Sequence, residues 1–158
     1  MRLRVTGILA AVMITGCAGN PTALNAVRSI NTTLEKDYAP YRYSLHERSP
    51  KIHVSQTEWA GTPGASIVTR SAELQADVDK YILNKCGFTA DQRLETRQVS
   101  IKPPIVHEVW IYRDNQSESE DKISGISVIL KQLPGNGGVD FGTSESCHSK
   151  KMPEFIYS

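Results

Sequence analysis

The order of apolar and polar positions along the chain predicts two helices, with strands between and after them. The first helix is expected to begin at Pro21, after Asn20 as a suitable N-cap, and to end before Pro40. The missing N–H of Pro21 costs nothing in a first helical turn. Apolar positions recur at helical spacing through this stretch: Leu24, Val27, Ile30 or Asn31, Leu34 and Tyr38.

A second helix is predicted between Ser71 and Gly87. Ser71 is a suitable N-cap, Glu73 favours the positive end of the helix dipole, and Gly87 suits the left-handed residue that follows a helix. Cys86 therefore lies at the C-terminus of this helix, beside its apolar stripe. The stripe consists of Leu74, Val78, Tyr81 and Ile82.

The strands are predicted from period-2 alternation and from turn residues. Alternation favours a hairpin that joins residues 41–46 to residues 51–57. Ile105–Arg113 is apolar on both faces, which is typical of a central strand with helices over one face. The other predicted strands are residues 99–102, residues 123–130 and Val139–Thr143.

Helices and antiparallel strands in separate blocks predict an α+β fold. We expect an antiparallel sheet of about four to six strands, with the two helices packed on one face. Residues 22–148 are expected to form this single domain. Residues 149–158 are predicted to be a loose C-terminal tail, although Phe155, Ile156 and Tyr157 are unusually apolar for one.

The first seventeen residues have the pattern of a secretory signal. Arg2 and Arg4 precede an apolar run of about ten residues, which is too short to cross a membrane as a permanent helix. The run ends in Ile-Thr-Gly-Cys at residues 14–17, which resembles the lipobox of bacterial lipoproteins. The alternatives are an ordinary signal peptide with a chance cysteine and an uncleaved anchor.

The lipobox resemblance implies a lipid anchor. Residues 1–16 would be a signal peptide that is removed, Cys17 would carry diacylglycerol, and residues 17–21 would be a lipidated tether. Ala18 follows the cysteine, where enteric-type bacteria use Asp to retain a lipoprotein in the inner membrane. The resemblance therefore implies the outer membrane of a Gram-negative bacterium, with the domain facing the periplasm.

The charge of the chain limits the kinds of partner that we expect, and its cysteine count predicts how the remaining cysteines pair. Without Arg2 and Arg4, 16 basic residues stand against 17 acidic ones, so there is no electrostatic argument for nucleic acid or an anionic membrane surface. With Cys17 acylated, Cys86 and Cys147 remain, and an even pair in an exported domain predicts one disulfide. A redox or metal pair is the alternative, although the chain has no C-x-x-C sequence.

The polar residues do not form a recognisable catalytic or metal-binding motif. His46 and His53 flank the hairpin turn without a third ligand, and His107 and Glu108 are strand neighbours that point to opposite faces. The serines near His148 lack a nucleophile elbow, and the acidic residues 118–121 lack the spacing of a calcium loop. We therefore expect neither catalysis, nor a bound metal, nor a cofactor.

Aromatic residues outside the regular pattern are the candidate interface. Trp59 lies beside a Gly/Pro-rich loop, and Phe155 and Tyr157 lie in the predicted tail. Exposed aromatic side chains are common where proteins bind each other. The alternative is that these three residues cover the ends of the core.

The order of elements is similar to that of the α/β class of type II secretion pilotins, which are small outer-membrane lipoproteins. The similarity consists of the acylated cysteine, a helix, a hairpin that opens on Tyr-x-x-x-Leu at residues 41–45, a helix that ends on Cys86, and strands that lead to Cys147. It implies that the domain binds the tail of a secretin subunit as a helix in a groove. A periplasmic immunity protein or inhibitor, which blocks a toxin or hydrolase, is the alternative.

Overall fold

A computed structural model describes residues 21–135, 137–144 and 146–158. Two helices, α1 (Pro21–Lys36) and α2 (Ala72–Cys86), accompany eight strands in this part of the chain. The strands are β1 (Tyr41–Ser49), β2 (Ile52–Trp59), β3 (Thr62–Pro63), β4 (Arg93–Lys102), β5 (Ile105–Arg113), β6 (Ile123–Gln132), β7 (Val139–Thr143) and β8 (Ile156–Tyr157). Short 3₁₀ turns at Val68–Arg70 and Ala90–Gln92 flank α2.

The strands form two antiparallel sheets. The larger has the order β3-β4-β5-β6-β7, and the smaller has the order β1-β2-β8. In the larger sheet β5 is central, and Trp110, Tyr112, Ile126 and Val128 project from one face into the main core. Val78 and Ile82 of α2 belong to the same core, so α2 covers this face.

The opposite face of the larger sheet is covered by the N-terminal half of the domain. Val109 and Ile111 of β5 pack with Ala60 in a second buried cluster, and Trp59 packs against it. The carbonyl of Tyr38, just after α1, accepts a hydrogen bond from the Ser127 hydroxyl of β6. The larger sheet is therefore the middle layer of the domain.

The α+β class and the antiparallel pairing are confirmed. The arrangement of the layers differs from the prediction, because the strands form two sheets and the helices pack in different places. We expected one sheet with both helices on one face. Instead, α2 covers one face of the larger sheet, whereas α1 packs along β1 on the other side of the molecule. The side chain of Asn31 explains this placement, because its amide nitrogen donates to the Tyr43 carbonyl and its oxygen accepts from the Tyr43 N–H, both at 2.8 Å.

The predicted ends of α2 are confirmed. The hydroxyl of Ser71 accepts a hydrogen bond from the Leu74 N–H, and Gly87 adopts the left-handed conformation with φ of 77°. Cys86, the last residue of the helix, forms a disulfide with Cys147, which follows β7. The predicted covalent link between the second helix and the last strand of the larger sheet is therefore present.

The prediction of a loose tail is wrong for its last residues. Ile156 and Tyr157 form β8 and pair with Val54 and His53 of β2. Their apolar character reflects this addition to the smaller sheet.

The signal segment and Cys17 lie outside the described residues. Within the described ranges, no helix is both long and apolar enough to span a membrane.

Candidate functional site

A cleft of about 1300 Å³ lies between the end of β2 and the C-terminal segment. Its three sides are residues 56–59 of β2, the turn at residues 118–121, and residues 148–154 after the disulfide. Gly125 of β6 also lines it. Among the described residues, none from α1 or α2 contributes to the lining. The cleft is thus a gap between the two sheets, bridged at one end by β8.

The lining of this cleft is acidic. It contains five carboxylates and two lysines: Glu58, Glu118, Glu120, Asp121, Glu154, Lys150 and Lys151. Lys150 donates to Glu118 at 2.9 Å, and this hydrogen bond lowers the pKa of Glu118. In the described chain, the side chains of Glu120, Asp121 and Glu154 have no hydrogen-bond or ion-pair partner. The cleft therefore presents unpaired negative charge, although the domain as a whole is nearly neutral.

Trp59, the first candidate interface residue, lines the cleft and is half-buried. Its ring lies directly over Gly125, where any added Cβ would overlap the indole. Its carbonyl accepts a hydrogen bond from the Arg97 guanidinium at 3.1 Å. Trp59 therefore covers the sheet and also lines the cleft, while its role in an interface stays a prediction. A glycine inside a predicted strand was the signal for this close contact.

Tyr157, the second candidate, lies in β8 of the smaller sheet, and Phe155, the third, directly precedes that strand; neither lines the cleft. The Phe155 N–H donates to the Ser55 hydroxyl at 2.8 Å, and its carbonyl accepts from the Ser55 N–H at 2.9 Å. Its ring meets Tyr43 edge-on, with the ring centroids 5.5 Å apart. Tyr157 pairs with His53. These contacts attach the C-terminal segment to β2 and so close one end of the cleft.

The buried carboxylate of Glu108 is fully occupied by hydrogen bonds. Glu108 has no exposed surface and accepts from the Ser66 hydroxyl at 2.7 Å and from the Trp110 indole N–H at 3.0 Å. The backbone N–H groups of Ile67 and Val68 donate to its other oxygen. The group is enclosed and saturated, so its arrangement fits a structural role.

Buried Asp114 and half-buried His148 form a polar cluster at the edge of the cleft. The Asp114 carboxylate accepts from the Ser124 hydroxyl at 2.6 Å, from His148 Nδ1 at 2.9 Å and from the Gln116 N–H at 2.8 Å. Burial raises the pKa of Asp114, but these donors outweigh it and hold the pKa below its ordinary value. Among the described residues, no hydroxyl group forms a hydrogen bond with Nε2, the other ring nitrogen of His148. The cluster ties the segment after Cys147 to the larger sheet.

The histidine side chains do not come together in one site. His46 is exposed and pairs with Val54, whereas His53 is buried and pairs with Glu47, so their side chains leave the hairpin on opposite faces. His107 and Glu108 also point to opposite faces, as predicted from their positions on one strand. Among the described residues, no three His, Cys, Asp or Glu side chains lie together as a potential metal-binding group.

His107 makes the stability of the fold dependent on pH. The ring is buried, Nε2 lies 3.0 Å from the Ser127 hydroxyl, and desolvation, reinforced by Arg42, lowers its pKa to about 4. The unfolded chain takes up this proton near pH 6.5, so between pH 6.5 and pH 4 it binds more protons than the folded state. We expect His107 to contribute a loss of about 3 kcal/mol in the free energy of unfolding as the pH falls from 6.5 to 4.

Urea unfolding of wild type and His107→Gln at pH 7, 5.5 and 4 measures this contribution. Glutamine keeps a hydrogen-bonding group near Ser127 but does not titrate. The wild-type advantage should therefore shrink by about 3 kcal/mol over this range. A difference between the two proteins that stays constant with pH would contradict the assignment.

No family model, no curated protein and no solved structure matches the chain at a significant level.

Proposed function

We propose that the protein is a periplasmic lipoprotein, anchored to the outer membrane through Cys17, that works by binding another protein and not by catalysis. The cleft carries this proposal. At about 1300 Å³ it is larger than an ordinary small-molecule pocket, and it is acidic and bounded by residues 56–59 of strand β2. Those are features of a surface that binds a polypeptide segment.

The arrangement of the buried polar side chains supports a non-catalytic role. Glu108 and Asp114 accept hydrogen bonds from several groups, and His107 contacts Ser127 inside the fold. These groups hold one part of the fold to another. His107 contacts a hydroxyl, but Ser127 is fully buried and its hydroxyl donates to the Tyr38 carbonyl, so this serine is not placed to attack a substrate as acyl-transfer or hydrolytic sites require.

Two finer functions remain proposals. As a pilotin, the domain would hold a secretin tail while the acyl chains carry the complex to the outer membrane. As an immunity protein or inhibitor, it would block a toxin or hydrolase, and the negative charge of the cleft favours this alternative because such a face complements a basic partner site.

Replacing Cys17 by Ser tests the anchor. We expect the Cys17→Ser variant to lose lipidation and to leave the membrane fraction for the soluble periplasm, because one exported domain without acyl chains has no anchor. Metabolic labelling with palmitate and fractionation of the envelope measure both effects. A variant that still fractionates with the membrane would contradict the lipobox interpretation.

Identification of the partner tests the binding function. The C-terminally tagged protein would be isolated from detergent-solubilised envelope of the native host, and the proteins that co-purify would be identified. Recovery of a secretin supports the pilotin proposal, and recovery of a toxin or hydrolase supports the inhibitor. If no protein is enriched over the untagged control, the proposed binding function is wrong.

A further inference from the structure

The open edge of β2 gives the cleft a defined binding surface. Along β2, the even-numbered residues bond towards β1: the Gln56 carbonyl accepts from the Ser44 hydroxyl, and the Ala60 N–H donates to the Pro40 carbonyl. Backbone groups alternate in direction along a strand. The N–H and C=O of Thr57 therefore point away from β1, on the side where the cleft lies.

The C-terminal segment covers only part of this edge. Tyr157 and Ile156 pair with His53 and Val54, and Phe155 continues the ladder to Ser55. The same register would place Pro153 opposite Thr57. A proline has no N–H to donate to the Thr57 carbonyl, so the ladder ends there and the chain turns away from β2. Within the described chain, the backbone of Thr57 has no partner on the cleft side.

We propose that the cleft binds an extended, lysine- or arginine-bearing segment of the partner protein, which adds to β2 at Gln56–Trp59 as a short strand. The inference rests on the proposed binding function and names its site. The backbone of Thr57 supplies main-chain hydrogen bonds of the kind used in strand addition. Glu120, Asp121 and Glu154, which have no side-chain partner in the part of the chain that the structure describes, select for positive charge. The five carboxylates of the cleft exceed its two lysines.

Trp59 adds a second element of selectivity. Its half-buried ring faces the cleft beside the open edge, where the aliphatic stem and cationic head of a lysine or arginine can lie on the indole. Gly125 holds the ring in this position, because a larger residue would displace it from the sheet. The ring therefore lies beside the peptide that the edge of β2 would bind.

A displayed library of random twelve-residue peptides tests the specificity directly. The detergent-solubilised full-length protein is used for selection, and the selected peptides are synthesised for affinity measurements. We expect enrichment of peptides with alternating Lys or Arg and apolar residues. Peptides that are neutral or acidic, or a library that gives no enrichment, would overturn the proposal.

Charge reversal locates the site. The variant Glu58→Lys/Glu120→Lys/Glu154→Lys changes three exposed residues of the cleft and should weaken the selected peptides by about tenfold or more. The matched control, Glu47→Lys/Glu73→Lys/Asp77→Lys, makes the same charge change at exposed positions outside the cleft. It should change the affinity much less. An equal loss of peptide affinity in both variants would show that the affinity depends only on the overall charge of the protein. That result would overturn the proposed site.

Amide hydrogen exchange tests the strand addition. Bound peptide should slow exchange at the Thr57 N–H, which has no partner among the described residues. N-methylation of alternate peptide residues should abolish that protection in one register only. Binding without protection of Thr57 would overturn strand addition.

Co-purification of the native partner separates the site from the function. If the partner co-purifies equally with wild type and with the cleft variant, the proposed site is wrong and the binding function stands. If nothing co-purifies with wild type, the proposed binding function itself is wrong.

Discussion

The Glu108→Ala variant is expected to lose about 3–5 kcal/mol of its free energy of unfolding, because four donors are left without an acceptor. The Ser66 hydroxyl, the Trp110 indole and the N–H groups of Ile67 and Val68 all donate to this carboxylate. Alanine offers no oxygen to any of them and leaves a cavity beside the main core. Each orphaned buried donor costs roughly 1–3 kcal/mol, and partial relaxation keeps the sum at the lower end.

Urea unfolding followed by far-UV circular dichroism measures the loss. Glu108→Gln keeps the size of the side chain and one acceptor oxygen, so it should cost about half as much as the alanine substitution. Glu47→Ala is the surface control, because Glu47 is exposed, and it should stay within about 0.5 kcal/mol of wild type. If Glu108→Ala unfolds at the same urea concentration as Glu47→Ala, the buried network does not support the fold.

The ends of α2 were predictable because a single residue determines each of them. Ser71 caps α2 and Gly87 ends it in the left-handed conformation, each for a local steric or hydrogen-bonding reason. The central position of β5 followed from its apolar character on both faces. The disulfide was predicted from the even pair of cysteines that remains when Cys17 is taken as acylated. These features depend on short-range chemistry or on composition, which a sequence contains.

The division into two sheets and the cleft were not predictable in the same way. β8 joins β2 across about 100 residues, and periodicity contains no information on which distant strand a short segment will pair with. The docking of α1 beside β1 depends on one side chain, because Asn31 bonds both backbone groups of Tyr43. Its position on the apolar side of the predicted helix was the only sign of that role.

The residues of the cleft come from three distant parts of the chain. The acidic turn at residues 118–121 is an ordinary solvated turn when taken alone, and it becomes part of a site only opposite β2. The missing N–H of Pro153 was visible in the sequence. Its consequence for Thr57 required the register of β8 on β2.

Loss of the disulfide is the second large effect that we expect. The bond closes a loop with a sequence separation of 61 residues, and the Cys86→Ala/Cys147→Ala variant should lose about 4 kcal/mol of its free energy of unfolding. Both cysteines also pack against the main core, and alanine keeps that contact only in part. Urea unfolding of wild type, of the variant and of reduced, alkylated wild type measures the change.

The same substitution should loosen one side of the cleft before the whole domain unfolds. Cys147 is directly followed by His148, whose bond to Asp114 ties the C-terminal segment to the larger sheet. Without the covalent link, the segment is held by hydrogen bonds, among them the bond from Ser55 to the Phe155 carbonyl. Hydrogen exchange at the Ser55 amide should therefore rise in the variant more than at the central strand β5, because local opening of the segment requires less free energy than global unfolding.

Thiol labelling provides the control for this experiment. Under denaturing, non-reducing conditions the wild-type protein should show no free thiol at Cys86 or Cys147, and labelling of both would contradict the premise that they form a disulfide. If the Ser55 amide instead exchanges only as fast as the amides of β5, the segment opens only when the domain unfolds. Its hydrogen bonds to β2 and Asp114 would then be enough to hold the cleft, and the disulfide would contribute to global stability alone.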